Sequence, residues 1–376
     1  MAENSSMPLQ RTSPTVHPTV LLTAKLNSPC TAVTAAASPF GDDPHNRNLC
    51  YIIYGKANGE TIVASDDQCI QQSIPTESEC AISVIVCGDG RDIDEAEIFV
   101  IAADGQMRVF SFPRCLERGV PRSFQAGECQ FEQLLNANIC FAEILDFDYD
   151  GKNELLVAMT DRVVRSYRYE EVDDDEMHFV PLNKWEVPSH ISGISVGYDT
   201  DLTVLLSQVH HQKYVRINWA TQCRVVQPMS AEESTKNTHQ LILPPKPIRV
   251  SLFSSIATKV FVANTTCNSE ILLKVDKSPI TGAAATILGN KLQILITVDS
   301  KGFTFVYGWM DHLIPNTDPM ARCRIPRNPD RLCALADPGN PNVVLLGVSY
   351  LGNKLTFLKF NLENSLIKAN LAIDQQ

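Results

Sequence analysis

An all-β fold, a ring of small sheets of the β-propeller type, is predicted by three observations in the sequence. Short apolar runs recur in pairs. Turn dipeptides such as Asn58-Gly59, Asp104-Gly105 and Lys301-Gly302 separate the two members of a pair. Most pairs return at a period of about 50 residues, which is the range of propeller blades. The runs are too short for helices. A small sheet cannot bury both of its faces alone, and packing it between two neighbours does so, which makes a bladed ring the physical answer to such a repeat.

The most regular copy lies between Asp146 and Tyr169. Asp146, Asp148, Asp150 and Glu154 stand at positions 1, 3, 5 and 9 of a loop turned by Gly151, with Lys152 offering its carbonyl at position 7. Such spacing gathers oxygen ligands around a hard cation. Close carboxylates repel one another unless solvent or a cation intervenes. Two readings stay open from the residues: a structural Ca²⁺ that does no chemistry, or a solvated turn whose aspartates bond to their own backbone. The run Leu155-Leu156-Val157-Ala158 has the density of a strand buried on both faces. Beyond the Thr160-Asp161 turn, Val163, Val164, Tyr167 and Tyr169 mix with arginines in a partly exposed strand, whose length predicts a bulge near Arg165.

Taken in order, residues 1–18 are polar, carry Pro14 and Pro18, and read as a disordered tail; a single propeller domain is expected over 19–362. Val20–Leu22 and Thr31–Val33 are short strands able to help close the ring. The hairpins follow: Leu49–Tyr54 with Thr61–Ala64, Glu97–Ile101 with Met107–Phe110, and the central copy. After these come Leu202–Leu206 with Tyr214–Ile217, Leu292–Ile296 with Phe303–Val306, and Val343–Leu346 with Leu355–Leu358. Between the fourth and fifth hairpins the spacing stretches. A polar segment ending in Pro244-Pro245-Lys246-Pro247 reads as an inserted loop around 228–246, followed by outer strands over Ile248–Phe253 and Val260–Val262. Residues 363–376 form a tail with a short helix over Asn364–Ala372. The plan is six recognisable blades, or a seven-bladed ring left incomplete.

Composition bounds the function. The chain has 376 residues, 44% of them hydrophobic and 20% charged, ample for a core. A net charge of -11 opposes binding to nucleic acid or anionic membranes. The 12 cysteines include no C-x-x-C pair, so no zinc site is read, and apolar surroundings make Cys50, Cys87, Cys140 and Cys333 buried thiols. No signal peptide or membrane span is evident, which predicts a cytoplasmic, reduced protein in which the sequons at Asn4 and Asn264 carry little meaning.

Catalytic patterns are weak. Gly193-Ile194-Ser195-Val196-Gly197 matches a nucleophile elbow, but that chemistry needs a helix after the serine, and Tyr198-Asp199-Thr200-Asp201 turns into another strand. His210-His211 has no third ligand at a metal spacing. The acidic run Glu170–Glu176 is a solvated loop able to meet a basic partner. Gly55–Gly59 lacks the spacing of a phosphate loop. No catalytic residue is assigned and no cofactor is required; a hydrolase using Ser195 is the lesser alternative.

The Asp-x-Asp-x-Asp-Gly loop before a buried strand resembles the FG-GAP repeat. Thr160-Asp161-Arg162-Val163-Val164-Arg165, then Tyr167-Arg168-Tyr169-Glu170-Glu171, Leu182-Asn183-Lys184-Trp185 and Ile194-Ser195-Val196, resemble the integrin-α FG-GAP repeat-containing protein 2 family. That resemblance implies a cytosolic, non-enzymatic propeller of FG-GAP/WD-like blades, a subunit of the KICSTOR complex. It would pair with a kaptin-like propeller and the other KICSTOR subunits, recruit GATOR to the lysosomal membrane surface without inserting into it, and tie TOR kinase signalling to amino acids and other nutrients. A generic adaptor in another pathway is the milder rival. Arg165, Tyr167, Arg168, Tyr169 and Trp185 are the candidate partner-binding residues, since Arg and aromatic side chains dominate interface hot spots; packing between blades is the alternative role of the tyrosines.

Overall fold

The computed structural model describes residues 14–40, 48–66, 71–74, 76, 79–113, 128–146, 148, 150–172, 176–187, 191–198, 202–208, 213–218, 224–228, 240–242, 250–253, 259–264, 269–274, 280–289, 292–310 and 318–368, with side chains described except at 71, 192–280, 309–310 and 368. Among these residues the chain forms seven four-stranded sheets, each antiparallel along the chain. The chain enters at β1 (Thr19–Lys25). Blade 1 is β2 (Cys30–Ala37), β3 (Cys50–Lys56), β4 (Thr61–Ser65) and β5 (Gln71–Ile74). Blade 2 is β6 (Ile82–Gly88), β7 (Glu97–Ala102), β8 (Gln106–Ser111) and β9 (Cys129–Leu134). Blade 3 is β10 (Ile139–Leu145), β11 (Glu154–Met159), β12 (Val163–Val172) and β13 (Glu176–Glu186). Blade 4 is β14 (Ile191–Tyr198), β15 (Leu202–Gln208), β16 (Lys213–Asn218) and β17 (Arg224–Pro228). Blade 5 is β18 (Gln240–Ile242), β19 (Val250–Phe253), β20 (Lys259–Asn264) and β21 (Ser269–Lys274). Blade 6 is β22 (Ile280–Leu288), β23 (Leu292–Asp299), β24 (Phe303–Met310) and β25 (Ala321–Arg324). Blade 7 joins β26 (Pro329–Ala336), β27 (Val343–Tyr350) and β28 (Lys354–Asn361) to β1.

The innermost strands touch in succession, β2 to β6, β10, β14, β18, β22 and β26, and β26 returns to β2, which closes the ring. Closure uses both termini: Thr19 lies across from Lys359 and Lys25 across from Lys354. The seventh blade that the hairpin count lacks is blade 5. The segments read as outer strands of an insertion are its two middle strands, β19 and β20, and β18 falls inside the stretch read as a loop around 228–246. Pro228 ends β17, and the rest of 229–246, with Pro244–Pro247, lies outside the described residues.

Two smaller corrections concern the ends. Thr15, assigned to the disordered tail, bridges to Arg322, and the Val16 N–H donates to the Arg322 carbonyl at 2.8 Å, so the entering chain is fixed to β25; residues 1–13 lie outside the described residues. The helix α1 spans Glu363–Lys368 and buries Leu366 against the blade 6 and 7 core; 369–376 are likewise outside.

In blades 1, 2, 3, 6 and 7 the second strand is the buried one, and β3, β7, β11, β23 and β27 are buried along their whole length. Their apolar runs pack against the adjoining blades: Phe99, Ile101, Leu155, Val157, Tyr167 and Phe179 fill one such interface. Gln133 on β9 adds a polar latch, donating from Nε2 to the Phe179 carbonyl at 3.1 Å and accepting from the Phe179 N–H at 2.8 Å.

The innermost strands of blades 1, 2, 3 and 6 carry an irregularity after their first residue. The displaced residue there is small and polar, and its side chain donates to the neighbouring strand: Thr31 to the Gly55 carbonyl, Ser83 to Ile101, Cys140 to Ala158 and Thr281 to Val298, at 3.0–3.3 Å. A side-chain donor thus serves a carbonyl that the broken ladder leaves over. These strands line a central cavity of about 340 Å³ bordered by Thr31, Ser83, Cys140, Glu143, Asp330 and Arg331.

The bulge expected near Arg165 lies between Ser166 and Tyr167, in the pairing of β12 with β13, where Pro181 and Asn183 take the paired positions. The extra residue is Leu182 on β13, so the outer strand is the irregular one.

Candidate functional site: the acidic loop and its arginine

The loop between β10 and β11 has the turn its sequence predicts. Gly151 sits at φ +91°, and its N–H donates to Asp146 Oδ2 at 3.0 Å. Asp148 Oδ1 accepts from the Asp150 N–H at 3.3 Å, and Asp150 Oδ1 accepts from the Lys152 N–H at 2.9 Å. Each aspartate thereby spends one oxygen on the loop backbone, as Asp does in turns. Carboxylate oxygens of Asp146, Asp148 and Glu154 come within 4.8 Å of one another.

The remaining oxygens of Asp148 and Asp150 face a guanidinium. Arg168 stands directly across from Glu154 on β12. Its Nη2 donates to Asp148 Oδ2 at 2.8 Å, its Nη1 to Asp150 Oδ2 at 2.8 Å, and its Nε to Glu154 Oε1 at 2.7 Å; Nη2 reaches Glu154 as well. Glu154 is fully buried and Arg168 is 9% exposed. Burial alone would lower the pKa of the guanidinium, but the bonds from Glu154 and Asp148 raise it above its ordinary value. The Lys152 N–H, helped by the charge of Arg168, holds the Asp150 carboxyl below the usual range.

The neighbouring loop, between β6 and β7, abuts this one. The Asn153 N–H donates to Asp92 Oδ1 at 2.8 Å, and Asn153 Nδ2 donates to the Asp89 carbonyl at 2.8 Å. Asp89 caps the turn by accepting from the N–H groups of Ile93 and Asp94, both at 2.9 Å. Arg91 in that loop pairs with Glu97, its Nε donating to Oε2 at 2.8 Å, and this bond raises the pKa of the guanidinium. Arg91 also lies over the Tyr169 ring, 5.8 Å from its centroid. Glu97 is 2% exposed and opens β7 as Glu154 opens β11.

Of the five residues expected to face a partner, Tyr167, Arg168 and Trp185 are buried, and Arg165 and Tyr169 are half-buried. Tyr167 donates from its hydroxyl to Asn136 Oδ1 at 2.8 Å, and Tyr169 packs on Phe131 and Phe179 with ring centroids 5.3 and 5.2 Å apart. Blade packing is therefore what occupies the two tyrosines, while Arg168 is held by the acidic loop. Ser195 lies mid-strand in β14, paired with Leu205, and β15 follows it rather than a helix, so no elbow forms. His210, His211 and Asp173–Asp175 lie outside the described residues. What the spacing of carboxylates could not reveal was Arg168. Counting residues across the Asp161-Arg162 turn would have placed it opposite Glu154.

A family model described as integrin-alpha FG-GAP repeat-containing protein 2 matches residues 68–294, which include both loops and Arg168. The chain belongs to this family. It is 29% identical over 168 residues to the KICSTOR complex protein ITFG2 of Mus musculus, a match covering 41% of this chain and 36% of that protein. The match to the protein of the same name from Bos taurus is 28% over 169 residues, covering 41% and 30%. The chain thus spans about a third of the length of the family members it matches.

Among solved structures, a chain from the crystal structure of BBS1N in complex with ARL6DN, soaked with lead, aligns over 93% of this chain and 98% of its own at a TM-score of 0.62 and 12% identity. Raptor of Chaetomium thermophilum aligns over 93% of this chain and 29% of its own at 0.61 and 11%. At these identities the likeness is one of fold, and the propeller is shared with them.

Proposed function

We propose that this chain is a non-catalytic scaffold propeller that takes part in a KICSTOR-like assembly, contacts a kaptin-like propeller subunit, and helps bring GATOR to the lysosomal surface so that TOR kinase activity follows amino-acid supply. The observation that carries this reading is the family match over residues 68–294, together with relatives named as KICSTOR complex proteins. Among the described residues, the charged group of Asp148, Asp150, Glu154 and Arg168 supports it, because its members bond to one another. A propeller also offers wide rims for protein contact. No helix among the described residues is long and apolar enough to cross a membrane, so the reading places the chain at the lysosome through its partners.

The test is affinity purification of the chain at native expression level, with and without amino-acid starvation, followed by mass spectrometry. A kaptin-like propeller and GATOR subunits are expected in near-stoichiometric yield. Recovery of a different complex at high occupancy would replace this assignment with an adaptor role elsewhere. Hydrolytic activity lost in Ser195→Ala would overturn the scaffold reading itself.

A further inference from the structure

The FG-GAP family pattern implies a cation in a loop of this spacing, and the donor set here argues against one. A Ca²⁺ ion takes six to eight oxygens at about 2.3–2.6 Å and relies on several carboxylates aimed at one point. Here Asp148 and Asp150 have each given one oxygen to the loop backbone, and their second oxygens, with Glu154, are bonded to Arg168. The planar fork of a guanidinium, with five N–H donors and a charge that cannot be titrated away, suits such a divided set. An ion placed among these oxygens would meet a like charge a few ångströms off, and displacing Arg168 would strand a buried guanidinium.

We propose that Arg168 is a built-in cation that takes the place of the metal, so that this loop holds its shape and its blade without Ca²⁺. The neighbouring blade supports the inference independently. Glu97 occupies the same position as Glu154, at the start of the buried strand, but the residue across from it is Ser111, too short to reach; there Arg91 comes from the loop instead. Two blades satisfy the same buried glutamate with an arginine from two different places in the sequence. The pairing of glutamate with arginine, not the acidic spacing, is what the two sites share.

The experiment compares the full chain, Arg168→Met and Asp148→Asn in thermal melts and calorimetric titrations, in EDTA and with CaCl₂ up to 1 mM. The unaltered chain is expected to show no saturable heat and a melting temperature that Ca²⁺ leaves unchanged. Asp148→Asn should lower that temperature slightly and equally in both buffers. Arg168→Met should melt several degrees lower in EDTA and recover part of the loss in CaCl₂, because removing the guanidinium returns the oxygens to an ion. Should Arg168→Met fail to fold, Arg168→Lys, which keeps one charge but loses the fork, is expected to melt lower without gaining a Ca²⁺ response. Saturable Ca²⁺ binding by the unaltered chain that Asp148→Asn abolishes would overturn the proposal. A folded Arg168→Met chain that gains no Ca²⁺ response would overturn the claim that guanidinium and ion compete for one place.

Discussion

In blade 2 the residue across from the buried glutamate is Ser111, and the arginine arrives from six residues earlier, out of the loop; in blade 3 the residue across from the glutamate is Arg168 itself. The loop that must supply its own arginine is bent to do so, with Asp92 and Asp94 at φ +53° and +59°, in the left-handed region that costs most residues energy. Among the described residues of the loop served from the strand, the left-handed one is a glycine, Gly151. Supplying the charge from a regular element removes strain from the irregular one, and it frees the rest of the fork to hold Asp148 and Asp150.

The comparison breaks most visibly at the two arginines. Arg168→Met leaves Glu154 buried without its main partner and should cost about 3–5 kcal/mol in chemical denaturation, the range for removing one half of a buried pair. Arg91→Met strands only Glu97 and should cost about 2–3 kcal/mol. If the source of the arginine is interchangeable, Ser111→Arg in the Arg91→Met background should recover at least half of that loss. No recovery would mean that the loop's own shape, and not the charge, is what blade 2 needs.

The turns between the second and third strands differ in the same two blades and give the next effect. Gly105 lies at φ +96°, and a Cβ there would sit 2.7 Å from the carbonyl oxygens of Leu135 and Asn136, so Gly105→Ala should cost about 2–3 kcal/mol. Arg162 holds the equivalent place in blade 3 at φ +75°. Both residues accept from the chain leaving the outer strand, Leu135 N–H to Gly105 and Val187 N–H to Arg162, each at 2.9 Å. Arg162→Gly should therefore relieve strain and raise stability by about 0.5–1 kcal/mol in the same assay.

The smallest effect lies in the channel, where blade 3 carries Glu143 at the position of Val86. The side chain is open to water in the central cavity, yet protein crowds it and pushes its carboxyl from 4.5 up to about 7. The folded state then holds this proton where the unfolded chain has released it, so the contribution of Glu143 to stability falls as pH rises from about 4.5 through 7. Glu143→Gln should leave the melting temperature unchanged near pH 4 and raise it by about 1–2 °C at pH 8. A pH-independent change would assign the effect to packing.

Much of this was legible in the sequence because in blades 1, 2, 3, 6 and 7 the middle two strands are largely buried and joined by a short turn, so their apolar density survives as a pair. Blade 5 escaped because β19 has only four residues, Val250–Phe253, and follows a proline cluster that reads as a loop. Inner strands were harder to read since in blades 1, 2, 3 and 6 a small polar residue interrupts them near the start, and outer strands such as β9, half exposed, carry little apolar signal. At the site, the aspartates declared themselves by spacing along the chain. Arg168 is a neighbour only across the sheet; Tyr167 and Trp185, whose residue types made them interface candidates, are buried, and Tyr169 is half-buried against Phe131 and Phe179.

The last blade takes β1 from one end of the chain and β28 from the other. β1 is synthesised long before its partner β28, so its edge stays unpaired until the strands of the other blades have been made. Closing so long a loop is slow, since its entropy is spent before any contact repays it. Once formed, the same seam ties the first and last strands of the ring into one sheet. Thermal opening of that sheet releases the first and last strands of the ring together, so loss of the ring starts at one seam.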